Sequence, residues 1–90
     1  MKKTFIVFIY PKEEFNKDLF EEHMRTYSNW ARLSERLWMV TYLGNASQLR
    51  DAISHSSDST CNILVINITN DGWASVNIDR RLTDWMQENI

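Results

Sequence analysis

The chain of 90 residues is predicted to be an α+β domain: one antiparallel sheet, two helices on one face, and a further helix at the C-terminal end. Three observations carry this. Leu37–Leu43, Thr4–Tyr10 and Ile63–Ile66 are apolar runs rich in aromatic and β-branched residues, and too short for buried helices. Two stretches between them repeat apolar residues at helical spacing. Turn chemistry separates the segments in the order strand, helix, strand, strand, helix, strand.

The organising stretch is Leu37-Trp38-Met39-Val40-Thr41-Tyr42-Leu43, with Glu35 and Arg36 before it and Gly44-Asn45 after it. We read it as an interior strand, buried on both faces. Thr4–Tyr10 is a second such strand and is expected to stop where Pro11 removes an N–H and biases Tyr10 away from helical geometry. Next comes an amphipathic helix over Phe15 to Tyr27. Phe15, Leu19, Phe20, His23, Met24 and Tyr27 share one half of its wheel, and Glu14, Lys17, Asp18, Glu21, Glu22 and Arg25 the other. Asn16 is a candidate cap for a slightly later start.

Ser28-Asn29 ends that helix, and Trp30–Leu33 is a short strand that turns through Ser34-Glu35 into the organising one. Asn45-Ala46-Ser47-Gln48 has the spacing of a capping box for a helix over Ala46–Ser54, with Leu49, Ala52 and Ile53 as its apolar stripe. His55–Thr60 is a polar loop. The last strand lies within Asn62–Thr69, followed by a turn at Asn70-Asp71-Gly72 and an extended or irregular stretch Trp73–Ile78. Asp79 caps the final helix, whose apolar edge is Leu82, Trp85, Met86 and Ile90.

That order is βαββαβ, a ferredoxin-like arrangement with sheet order 4-1-3-2, within one domain spanning residues 1–90. It leaves apolar residues in excess. In the first strand Phe5, Val7 and Ile9 point one way and Ile6, Phe8 and Tyr10 the other. Two helices cover one face. The C-terminal helix is expected to cover part of the second, and a second subunit the rest, because soluble monomers rarely expose large apolar patches. Trp38, Val40 and Tyr42 are assigned to the helix side. Leu37, Met39 and Leu43 are assigned to the second face and to the dimer interface.

Composition sets limits on function. With 43% hydrophobic and 24% charged residues, two Gly and one Pro, the chain has the makeup of a folded domain. The net charge of −2 supplies no global field toward nucleic acid or anionic lipid. A single Cys61 leaves no intramolecular disulfide, so a reducing, cytoplasmic setting is expected. Met1-Lys2-Lys3-Thr4 looks like a secretory n-region, but the apolar run after it is only six residues long, so neither a signal nor a membrane span is expected. No cofactor is expected either: Gly44 and Gly72 are isolated, and one Cys with two His does not make a zinc site.

Trp30, the turn, Leu37–Thr41, Asn45–Ile53, Ile63–Ile66, the Trp73-Ala74-Ser75 loop and the Trp85 helix resemble small uncharacterised proteins labelled SinR-like. These resemble in turn the ferredoxin-like superfamily of VapD toxins and CRISPR-associated adaptation nucleases. The resemblance implies a metal-dependent nuclease, with an Asp after the Tyr that ends the first strand as its metal ligand. Here that place reads Tyr10-Pro11. A hard divalent cation needs oxygen ligands, and Pro supplies none. Glu13 and Glu14 are nearby, but first-turn acids are the usual partners of the helix dipole. The enzyme reading is weakened accordingly.

Two classes of function stay open. One is a non-catalytic interaction or regulatory module, a homodimer with a protein partner. The other acts on nucleic acid, as a nuclease or as a binder through Trp30, Arg32 and Arg36 in the hairpin, where guanidinium groups beside indoles suit bases and phosphates. His23, inside an apolar arc, is read as structural. His55, among serines, has no Asp or oxyanion frame to complete a nucleophilic site.

Overall fold

The computed structural model describes residues 2–11, 16–56 and 61–90. The elements are β1 (Lys3–Pro11), α1 (Lys17–Met24), β2 (Trp30–Ser34), β3 (Leu37–Tyr42), α2 (Ala46–Ser56), β4 (Cys61–Asn67) and α3 (Arg80–Asn89). Every neighbouring pair in the sheet is antiparallel and the order is β2-β3-β1-β4. The architecture is the expected ferredoxin-like α+β fold with a C-terminal helix.

Local chemistry accounts for most boundaries. Asn45 Oδ1 accepts from the Gln48 N–H at 2.8 Å, and Gln48 Oε1 accepts from the Asn45 N–H at 2.9 Å, which closes a reciprocal capping box on α2. Gly44 precedes it because a Cβ there would lie 2.6 Å from the Tyr42 ring and 2.8 Å from Gln48 Oε1. Asn16 caps α1 by accepting from the Leu19 N–H, and Asp79 caps α3 by accepting from the Arg81 N–H. The helix expected to reach Tyr27 ends at Met24, where the Thr26 hydroxyl donates back to the His23 carbonyl. The expected start at Phe15 lies outside the described residues.

β1 runs one residue further than expected, through Pro11. Odd-numbered residues of β1 direct their backbone groups toward β3, as the Ile9 N–H does in donating to the Arg36 carbonyl. Pro11 therefore lacks its donor at a position past the start of β3, where no ladder bond is lost.

Phe5, Val7, Ile9, Trp38 and Val40 form the helix side of the sheet and pack with Phe20, Met24, Leu49 and Ile53 into one buried core, flanked by Tyr42. Trp38 is its hub. Phe20 meets its ring edge-on at 6.0 Å, and Trp30 lies tilted at 5.4 Å. Glu21, assigned to the polar half of the wheel, is buried. Lys17, Arg25 and Arg32 approach its carboxylate at 3.6–3.8 Å, so the charge is compensated where it enters the edge of the core. Leu19, assigned to the apolar half, is exposed instead.

The second face is divided. α3 packs against β2, and the Thr4 hydroxyl donates to the Asn89 carbonyl, which carries the end of the helix over β1. On this side Thr4, Ala31, Met39 and Thr41 are buried. Met39 is on the expected face but is only 1% exposed in the single chain, so it offers no area to a partner. Leu37 is half-buried, and Leu43 is exposed beyond the end of β3. The β1–β4 side stays open: Phe8, Tyr10, Leu64 and Ile66 are 36%, 61%, 55% and 46% exposed.

Candidate interaction surfaces

The β2–β3 hairpin places Trp30 opposite Val40 and Arg32 opposite Trp38, so both side chains lie on the helix side. The Arg32 guanidinium sits 5.9 Å from the Trp38 ring centroid and 3.7 Å from Glu21 Oε1. These contacts give both residues a packing role at the margin of the core while leaving each partly exposed. Arg36 is apart from them. It lies in the hairpin turn, where its N–H donates to Ser34 Oγ and its carbonyl accepts from Ile9. The structure brings Trp30 and Arg32 together and leaves Arg36 outside the pair.

A cleft of about 350 Å³ opens between β2 and α3, lined by Trp30, Ala31, Arg32, Asp79, Arg81, Leu82 and Trp85. Its α3 wall was not expected from sequence; the amphipathic Trp85 helix was legible, its seat beside β2 was not. Arg81 lies 3.3 Å from Asp79, and hydrogen bonding to Arg81 holds the Asp79 carboxyl below its usual range.

A second, shallow groove of about 380 Å³ runs over Phe8, Tyr10, Asn62, Ile63 and Leu64 on the β1–β4 side. The Phe8 and Tyr10 rings are 6.3 Å apart. In register, Phe8 faces Leu64 and Ile6 faces Ile66 across the ladder, which makes the apolar surface continuous.

His23 is half-buried and shares a 2.7 Å hydrogen bond with the Tyr27 hydroxyl. Burial lowers the His23 pKa from its usual 6.5 and raises that of Tyr27 to about 12. The native state thus favours neutral imidazole. Its contribution to stability is complete above the unfolded-state value near 6.5 and is lost as pH falls through the depressed native value. Urea midpoints measured from pH 7 down to pH 5 are expected to fall more steeply for the wild type than for His23→Gln. Parallel curves would contradict this.

Among the described residues no group of three or more His, Cys, Asp or Glu is placed to hold a metal ion. Glu13 and Glu14, the acids nearest the strand-end position, lie outside the described residues, as does the Ser57–Thr60 part of the loop after His55. Among those described, no helix is long and apolar enough to cross a membrane. Comparison with protein-family models, curated proteins and solved structures finds no match. The chain is a ferredoxin-like α+β domain with a half-covered sheet.

Proposed function

We propose that this chain is a non-catalytic interaction module that forms a homodimer through the part of its second sheet face that α3 leaves open. The observation that carries the reading is the continuous apolar surface of Phe8, Tyr10, Leu64 and Ile66. None of the four is charged, so a second copy placed on it by a two-fold axis meets no like-charge penalty. Burying several such side chains contributes about 1.5–3 kcal/mol each when complete, enough in sum to offset much of the cost of association. In this reading the interface lies at β1 and β4 and not at the expected Leu37, Met39 and Leu43, of which Met39 is already buried in the single chain.

A reducing, cytoplasmic setting belongs to this reading, on the strength of the single Cys61. Kinship with the SinR-like proteins belongs to it too, on the motifs quoted above. The metal-dependent nuclease reading has no supporting observation of its own, because the strand-end position is Pro11. Nucleic-acid binding through Trp30 and Arg32 is a second reading, supported by the partial exposure of both beside the basic side chain of Arg81.

Sedimentation equilibrium at micromolar concentration tests the proposal. The wild type is expected to run as a dimer, and Leu64→Glu as a monomer with its fold intact by circular dichroism. Leu43→Glu, outside the patch, is expected to stay dimeric. A monomeric wild type, or a Leu64→Glu variant that still dimerises, overturns it.

A further inference from the structure

The cleft between β2 and α3 has a property that its lining residues disclose. Side chains alternate along a strand, yet three consecutive residues of β2, Trp30, Ala31 and Arg32, all border it. The cleft therefore runs along the edge of the strand and not over one face. β2 is the outer strand of the sheet on this side.

The ladder tells which backbone groups that edge presents. The Thr41 N–H donates to the Asn29 carbonyl at 3.0 Å, so Asn29 and Thr41 are a hydrogen-bonded pair. Hydrogen-bonded and non-bonded pairs alternate in an antiparallel ladder. Ala31 opposite Met39 is then bonded inward, whereas Trp30 opposite Val40 and Arg32 opposite Trp38 direct their N–H and C=O groups outward. These four groups have no hydrogen-bond partner among the described residues. Their spacing of two residues matches what an added strand would bond.

The rest of the cleft suits a particular occupant. Ala31 is buried and small, so the strip of edge between it and the Leu82 and Trp85 side chains has room for one apolar side chain. Of the charged residues that line the cleft, Arg32 and Arg81 are cations and Asp79 is a carboxylate that meets Arg81 at 3.3 Å, while Glu21, which Arg32 meets at 3.7 Å, lies on α1 outside the lining. Two cations thus face one carboxylate along the lining, and its balance is positive on a chain whose net charge is −2.

We infer that the free edge of β2 beside α3 takes up an extended acidic peptide segment of a partner protein as an added antiparallel strand. The outward groups of Trp30 and Arg32 bond its backbone. Leu82 and Trp85 receive one of its apolar side chains, and Arg32 and Arg81 meet its carboxylates. The register shift between Arg32 and Ser34 limits the pairing to a short segment. This surface lies on the opposite side of the sheet from β4, so it does not depend on the homodimer.

The probe is the blocked peptide acetyl-Glu-Val-Glu-Val-Glu-amide, titrated into the full chain and followed by amide resonances and hydrogen exchange. Saturable shifts are expected at β2 and α3, with exchange of the Trp30 and Arg32 amides slowed at least roughly tenfold. Arg32→Ala removes the side chain beyond Cβ but keeps the backbone N–H, and should weaken binding several-fold. Arg32→Pro also removes the outward N–H, at an edge position that tolerates proline, and should weaken it about tenfold further. Trp85→Ala, which changes no residue of β2, should also lose affinity, with the fold of the variant checked by circular dichroism. Three results would each overturn the inference: no saturable shift up to millimolar peptide, unprotected Trp30 and Arg32 amides in the complex, or equal binding by Arg32→Ala and Arg32→Pro. Protection that rises with protein concentration alone would show the edge pairing with a second copy, and would overturn it as well.

Discussion

Trp38→Ala is expected to lower the stability of the domain by about 3–5 kcal/mol, the range for truncating a large buried aromatic side chain. The side chain is fully buried at the centre of the core. Its loss removes the edge-on contact with Phe20 and the tilted contact with Trp30, and takes the apolar floor from beneath the Arg32 guanidinium. Neighbours on a sheet are held by the ladder and close such a cavity poorly. For a domain of this size the native state is stable by roughly 5–13 kcal/mol in total, so the loss is a large share of it. Urea unfolding followed by circular dichroism measures the effect, and a midpoint close to the wild-type value would refute it. Trp38→Phe provides the contrast. The indole N–H has no hydrogen-bond partner among the described residues, and phenylalanine removes that buried donor while keeping most of the ring. It is expected to cost no more than about 1.5 kcal/mol.

Met39→Ala is expected to destabilise the single chain by about 2–4 kcal/mol without weakening self-association. Met39 faces away from the helices α1 and α2, but it lies beside Ala31 on the side of the sheet that α3 occupies. Truncating it opens a cavity inside the single chain and leaves the Phe8–Leu64 surface unchanged. Thermal melting and sedimentation together separate the two effects. Each 1 kcal/mol is worth roughly 4–8 °C in Tm for a domain this small. A variant with unchanged Tm and a weakened dimer would place Met39 at a subunit interface, against the burial seen here.

These variants also mark how far the amino-acid pattern reached. The alternation along β1, β3 and β4 was enough to sort Phe5, Val7 and Ile9 from Ile6, Phe8 and Tyr10, because a strand turns successive side chains to opposite faces whatever surrounds it. The capping box at Asn45 and Gln48 and the cap at Asp79 were legible for the same reason: their partners lie within three residues, so geometry is local. Tyr10-Pro11 was legible as a departure from the nuclease pattern, since it concerns only which atoms the side chains carry.

Glu21 was misassigned because helical period alone cannot see Arg32, which arrives from another element and makes a buried carboxylate tolerable. Trp30 and Arg32 were legible as a pair of interacting types. Their positions over the Trp38 ring, and at the margin of a cleft whose other wall is α3, were not.

The number and order of elements, their caps, and the two-sided apolarity of the strands belong to the chain as written, since each rests on contacts between near neighbours or on the pitch of the backbone. Which apolar residues remain exposed was decided only in three dimensions. It depends on where α3 lands after the twelve-residue connection 68–79, a choice made by long-range packing. By settling beside β2, α3 leaves Phe8, Tyr10, Leu64 and Ile66 uncovered and sets Trp85 beside an unpaired strand edge.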